Sequence, residues 1–292
     1  MCRPALLSSG PVTRLVVVLL GLPVIGMAQA ANNGRVSEGR LIDIKVQAGG
    51  FGGASPADIN AVLQSTAGEL WRHCPGTQLP GIDVYHRPDH PQTDSKRAAE
   101  GRIAIGLAAR DNHWAQYTFQ FAHECCHGLI NYSSDHRRLA HPPRHANLWL
   151  EESLCETASL FTLRALSRSW LTAPPYPAWR DYAPWFSAYA EQRLAQPGHH
   201  LPAGTPFMVW FRANEPALRQ DSIRRDRNAI VAAQLLPIFE REPRGWGALA
   251  FLNRAPNPNQ SLSQHFMDWR SRCPRAFQRF VAKVAAVFDV EA

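Results

Sequence analysis

Within the 292-residue chain, His123-Glu124-Cys125-Cys126-His127 spells H-E-x-x-H inside a stretch of helical periodicity. Ala115, Phe119, Ala122, Cys126 and Ile130 recur at helical spacing and predict a helix from about Trp114 to Asn131 with one side buried. One turn of that helix puts His123 and His127 on the same face, so both imidazoles can reach one metal ion. Glu124 lies beside them, placed to take a proton from a water that the metal activates. A fold built on this stretch must bury the helix, open its histidine face to a cleft, and bring a third ligand from elsewhere.

The next helical stretch, Leu148 to Arg168, carries an apolar stripe of Leu150, Leu154, Ala158, Phe161 and Ala165. It begins Asn147-Leu-Trp-Leu-Glu151-Glu152-Ser-Leu-Cys-Glu156. Glu152 and Glu156 share a helix face, so one can bind metal while the other supports a histidine from behind. Glu151, rotated away by one position, is expected to face solvent. Other ligands are available. His136, His141 and His145 lie between the helices and read as a polar surface loop. Cys126 and Cys155 could bind a metal as thiolates, and read as small buried residues between the two helices. The metzincin pattern is excluded, because Ile130 and Ser133 stand where it needs glycine and histidine.

H-E-x-x-H followed by a helix bearing W-L-x-E, with another acid four residues on, resembles the gluzincin clan of zinc metallopeptidases. That clan includes the thermolysin-like enzymes and the zinc aminopeptidases. The likeness covers roughly residues 100–165. It implies one catalytic Zn2+ held by His123, His127 and Glu152, with Glu124 as general base and Glu156 hydrogen-bonded to a ligand histidine. The chain departs from the clan in three places. Ser153 replaces the usual glycine, 24 residues separate His127 from Glu152, and both x positions are cysteine. No amine-binding G-x-M-E-N-like segment is identified, so an endopeptidase is preferred over an aminopeptidase.

Around the motif, strands are predicted at Leu41–Val46, Gly81–Tyr85 and Arg102–Leu107. A glycine-rich turn at Gly49–Gly53 leads to Ser55-Pro56-Ala57-Asp58, which opens a helix running to about His73. The third strand is expected to be the edge along which a peptide substrate adds. Beyond Ser169 strand signals vanish, and segments 177–195, 221–241, 243–253 and 260–288 read as helices between proline-rich turns. Trp185, Trp210, Trp246 and Trp269 are expected in their core. The order predicts an α+β fold: a zincin-like half with a small sheet, then an all-helical half, divided within 172–177.

Residues 1–30 read as a signal peptide, with Arg3 and Arg14, the apolar run Leu15–Met27 and a small-x-small site at Ala28-Gln29-Ala30. The expected domains are therefore the signal (1–30), a zincin-like metallopeptidase domain (31–171) and a helical C-terminal subdomain (172–292). Export implies a periplasmic or secreted protein without stable membrane insertion after cleavage. Removing Arg3 and Arg14 from 31 basic residues against 24 acidic ones leaves a net charge of +5, with no basic patch suited to nucleic acid. Five cysteines remain, and Cys74 with Cys273 is the candidate long-range disulfide. The expected function is zinc-dependent hydrolysis of a peptide or protein substrate. The alternatives are a zincin-fold protein that binds a peptide or partner without cutting it, and a zinc-stabilised structural domain.

Overall fold

The computed structural model describes residues 42–94, 101–132, 146–253, 257 and 259–292. The segments 1–30 and 133–145, with the predicted signal and with His136, His141 and His145, lie outside the described residues. So does Leu41 at the head of the first predicted strand. Residues Gly39–Ala292 form one compact unit. The fold is α+β.

Four strands form a mixed sheet: β1 (Ile44–Val46), β2 (Ile82–His86), β3 (Gln92–Thr93) and β4 (Ile103–Leu107), in the order β1-β2-β4-β3. β1, β2 and β4 run parallel, and β3 pairs antiparallel with β4 through Thr93↔Ile105 and Gln92↔Gly106. β4 is therefore internal, which corrects the expectation that it is the edge. The short edge strand β3 carries no apolar alternation and was invisible to pattern reading. Ile44, Ile82, Val84, Ile103, Ile105 and Leu107 are all buried. Arg102 ties the strand starts together: Nε donates to Asp83 at 2.5 Å, Nη1 to the Asp43 carboxylate, and Nη2 to the carbonyls of Asp43 and Ile82.

α1 (Pro56–Trp71) starts as predicted, with Ser55 Oγ accepting from Asp58 N–H at 3.1 Å and Pro56 at its first position. The motif helix α2 (Trp114–Tyr132) and the acidic helix α3 (Leu148–Ser169) match their predicted spans within a residue at each end. Gly128 lets α2 come close to the sheet, since a Cβ there would stand 3.3 Å from Ile103 Cδ1. α3 is buried on nearly every side, because the later helices wrap around it.

Those helices are α4 (Ala183–Leu194), α5 (Phe207–Gln220), α6 (Arg225–Arg241), α7 (Leu262–Arg272) and α8 (Arg275–Ala286), with 3-10 helices at Pro177–Tyr182 and Pro243–Phe251. The helix predicted over 260–288 is two, broken at Cys273-Pro274, where Pro274 adopts an extended ψ of 147°. The 243–253 segment is 3-10 rather than α, and α5 was not predicted. Trp210, Trp246 and Trp269 are buried as expected, but Trp185 is 64% exposed on the outer face of α4. Cys74 is a thiol donating to Leu70 O, so the expected bridge to Cys273 is not formed. Among the described residues no helix is long and apolar enough to cross a membrane.

Candidate metal centre

α2 and α3 cross so that the face bearing His123 and His127 meets the first turns of α3. The two imidazole centroids lie 5.1 Å apart, with ring planes at 68°. The Glu152 carboxylate sits between them, Oε2 at 3.4 Å from His123 Nε2 and Oε1 at 3.6 Å from His127 Nε2. Two ligands each about 2.1 Å from a tetrahedral zinc stand about 3.4 Å apart, so each Glu152–histidine distance is of the right order, with one carboxylate oxygen toward each imidazole. Cys155 Sγ is a second geometric option, lying within 4.8 Å of a ring nitrogen of each histidine. Burial pushes the thiol well above its usual range, and a hydrogen bond with Cys126 pushes it the same way.

The other nitrogen of each imidazole faces a carboxylate. His127 Nδ1 is 2.5 Å from Glu151 Oε1, which also accepts from Asn131 Nδ2 at 2.7 Å. Glu151 Oε2 accepts from Asn253 Nδ2. Glu151 is only 2% exposed, which corrects the expectation that it faces solvent. The one-position rotation from Glu152 would reach water on a surface helix, but α3 has no open side there. His123 Nδ1 is 3.8 Å from Glu156 Oε2, so Glu156 stands behind this histidine as an ion-pair neighbour without a direct hydrogen bond. Its other oxygen is 3.5 Å from Arg193 Nη2, and the Arg193 guanidinium lies 4.5 Å over the Phe119 ring.

Glu124 is 5% exposed and held from the edge strand: Thr93 Oγ1 lies 2.8 Å from Glu124 Oε2 and 3.0 Å from Glu124 O. The site opens into a cavity of about 460 Å3 whose walls include Gln92 and Thr93 of β3, Phe119 and Gln120 of α2, and Arg193, Arg225 and Asn228 of the helical half. Tyr182, Tyr189, His199 and His200 of the helical half do not line it. Tyr182 Oη instead accepts from Ala115 N–H at 3.1 Å, at the start of α2.

Burial opposes the His127 imidazolium, but the Glu152 and Glu151 carboxylates outweigh it and hold its pKa well above the ordinary value. Burial likewise opposes ionised Glu152, and His127 with His123 outweighs it, holding that carboxyl below the usual range. The sign for His127 follows. Its charged pairing stabilises the metal-free fold fully below the unfolded pKa of about 6.5 and is lost as pH rises through the folded pKa. A metal must displace the Nε2 proton, so zinc uptake at pH 7 should release about one proton per chain. Affinity should rise about tenfold per pH unit until the folded pKa is passed. Calorimetric zinc titration in two buffers of different ionisation enthalpy checks this.

No family model matches the chain, and no curated protein or solved structure matches it significantly.

Proposed function

We propose that the protein is an exported zinc metallopeptidase of gluzincin type, in which His123, His127 and Glu152 hold the ion. The observation that carries this is the Glu152 carboxylate placed between the two Nε2 atoms, at 3.4 and 3.6 Å, with buried Glu124 next to His123 on the same cavity wall. Bound zinc supplies Lewis acidity and draws the pKa of water toward neutrality. Among the described residues, Glu124 is the one of the four clustered glutamates with no histidine ion pair, and so the one free to act as base. It accepts the proton of the attacking water and passes it to the leaving amine. Thr93 holds its carboxylate in place throughout.

Substrate backbone is best received at β3. Among the described residues that strand is an edge of the sheet, and Gln92 and Thr93 both line the cavity. Arg193 and Arg225 line the same cavity and are the candidates to meet the oxygen on which negative charge develops. A peptide added as a strand along this edge suits an endopeptidase.

The test is zinc content together with cleavage of a mixed peptide library. About one zinc per chain with chelator-sensitive cuts supports the peptidase. One zinc without cleavage turns the reading to a zincin-fold binding protein, and no zinc removes it altogether.

A further inference from the structure

Each candidate ligand histidine is backed by a carboxylate, and each carboxylate is gripped by a residue from beyond α3. His123 is backed by Glu156, which meets Arg193 of α4. His127 is backed by Glu151, which accepts from Asn131 of α2 and from Asn253, two residues past the 3-10 helix Pro243–Phe251. The second relay carries a cost that packing alone does not explain. A carboxylate can only accept, so Asn253 must turn its NH2 toward Glu151. Its Oδ1 is then buried with no donor among the described residues. An asparagine kept for shape would settle with both ends of the amide satisfied. Here one end is given up to serve Glu151. The same NH2 lies 3.5 Å from Asn131 Oδ1, joining the two amides into one clamp.

We infer that Asn253 and Asn131 are positioning residues of the metal centre, acting through Glu151 on His127. They hold the carboxylate where it accepts a hydrogen bond from Nδ1–H and leaves the Nε2 lone pair directed at the ion. The inference rests on the zinc reading above. It makes the helical C-terminal half a working part of the metal site, because Asn253 enters from that half and no residue of α2 or α3 replaces it on Glu151 Oε2. Outer partners of this kind set metal affinity by ordering the ligand before the ion arrives.

The experiment is a competitive zinc titration of the purified protein beside Asn253→Ala and Asn253→Ser, with the visible spectrum of each Co2+-loaded form. Asn253→Ala should bind zinc about 10- to 100-fold more weakly and shift the cobalt bands. Asn253→Ser, whose hydroxyl can still donate, should recover part of the affinity and carries the comparison if the alanine variant does not fold. Thermal unfolding of the chelated proteins should be nearly unchanged, since a purely structural asparagine would move that midpoint instead. Wild-type affinity and an unshifted cobalt spectrum in Asn253→Ala would overturn the clamp and leave the zinc site standing. A lowered midpoint that fully accounts for the lost affinity would also overturn it. A wild-type protein that takes up neither zinc nor cobalt would instead overturn the zinc reading on which the clamp depends.

Discussion

Glu124→Gln should leave zinc bound and lower peptide hydrolysis about 10²- to 10⁴-fold, the range over which a positioned base acts. Glutamine preserves the shape of the side chain and can still accept from Thr93 Oγ1, so the local packing of α2 against β3 should hold. What it removes is the capacity to take and return a proton. The paired measurement is zinc per chain and kcat on a cleaved library peptide. Retained zinc with retained turnover would displace Glu124 as base and leave the metal assignment intact. The bland account of Glu124, a surface acid on a helix, does not fit a side chain that is 5% exposed and anchored to an edge strand.

The third ligand decides the second large effect. Glu152→Ala should weaken zinc binding by more than the about 100-fold that loss of an outer partner causes, and activity should fall with it. Cys155→Ala should keep the zinc and most of the activity, at a stability cost of about 1 kcal/mol for the emptied core position. The contrast follows from position and proton. Glu152 touches both Nε2 atoms, and its carboxyl is held ionised by His127 and His123. Cys155 is fully buried, and burial with its Cys126 hydrogen bond pushes the thiol well above its usual range. Equilibrium dialysis of the two variants separates the assignments. Zinc lost from Cys155→Ala and kept by Glu152→Ala would replace the open catalytic site with one closed by sulfur.

Much of this centre was legible because its parts are local. His123 and His127 are one turn apart, and Glu152 and Glu156 are one turn apart, so helical geometry alone orients each pair. Both helices were also bounded by strong periodicity, which is why α2 and α3 fall where expected. Where the sequence misled, the cause was an assumption about surroundings. Glu151 was assigned to solvent by treating α3 as a surface helix, but His127 and Asn131 of α2 and Asn253 of the C-terminal half close over its carboxylate. Trp185 was assigned to the core on side-chain type, yet α4 turns it outward. The break at Cys273-Pro274 was the exception, since the proline itself marked it.

The residues that finish the site had no local signature. Thr93 lies on a two-residue strand 31 positions before Glu124, and Asn253 is 102 positions beyond Glu151. Neither type at either place suggests chemistry until the fold brings it to a carboxylate. Sequence by itself determined the His123/His127 and Glu152/Glu156 pairs, the two helices that carry them and the α+β order of the chain, because periods of 3.6 and 2 are written in consecutive residues. Tertiary structure decided that the helices cross with Glu152 between the histidines, that β3 rather than β4 is the edge, and that both histidines are backed by carboxylates tethered to the C-terminal half. Those facts depend on which elements pack together, and packing is a property of distant residues meeting across a shared core.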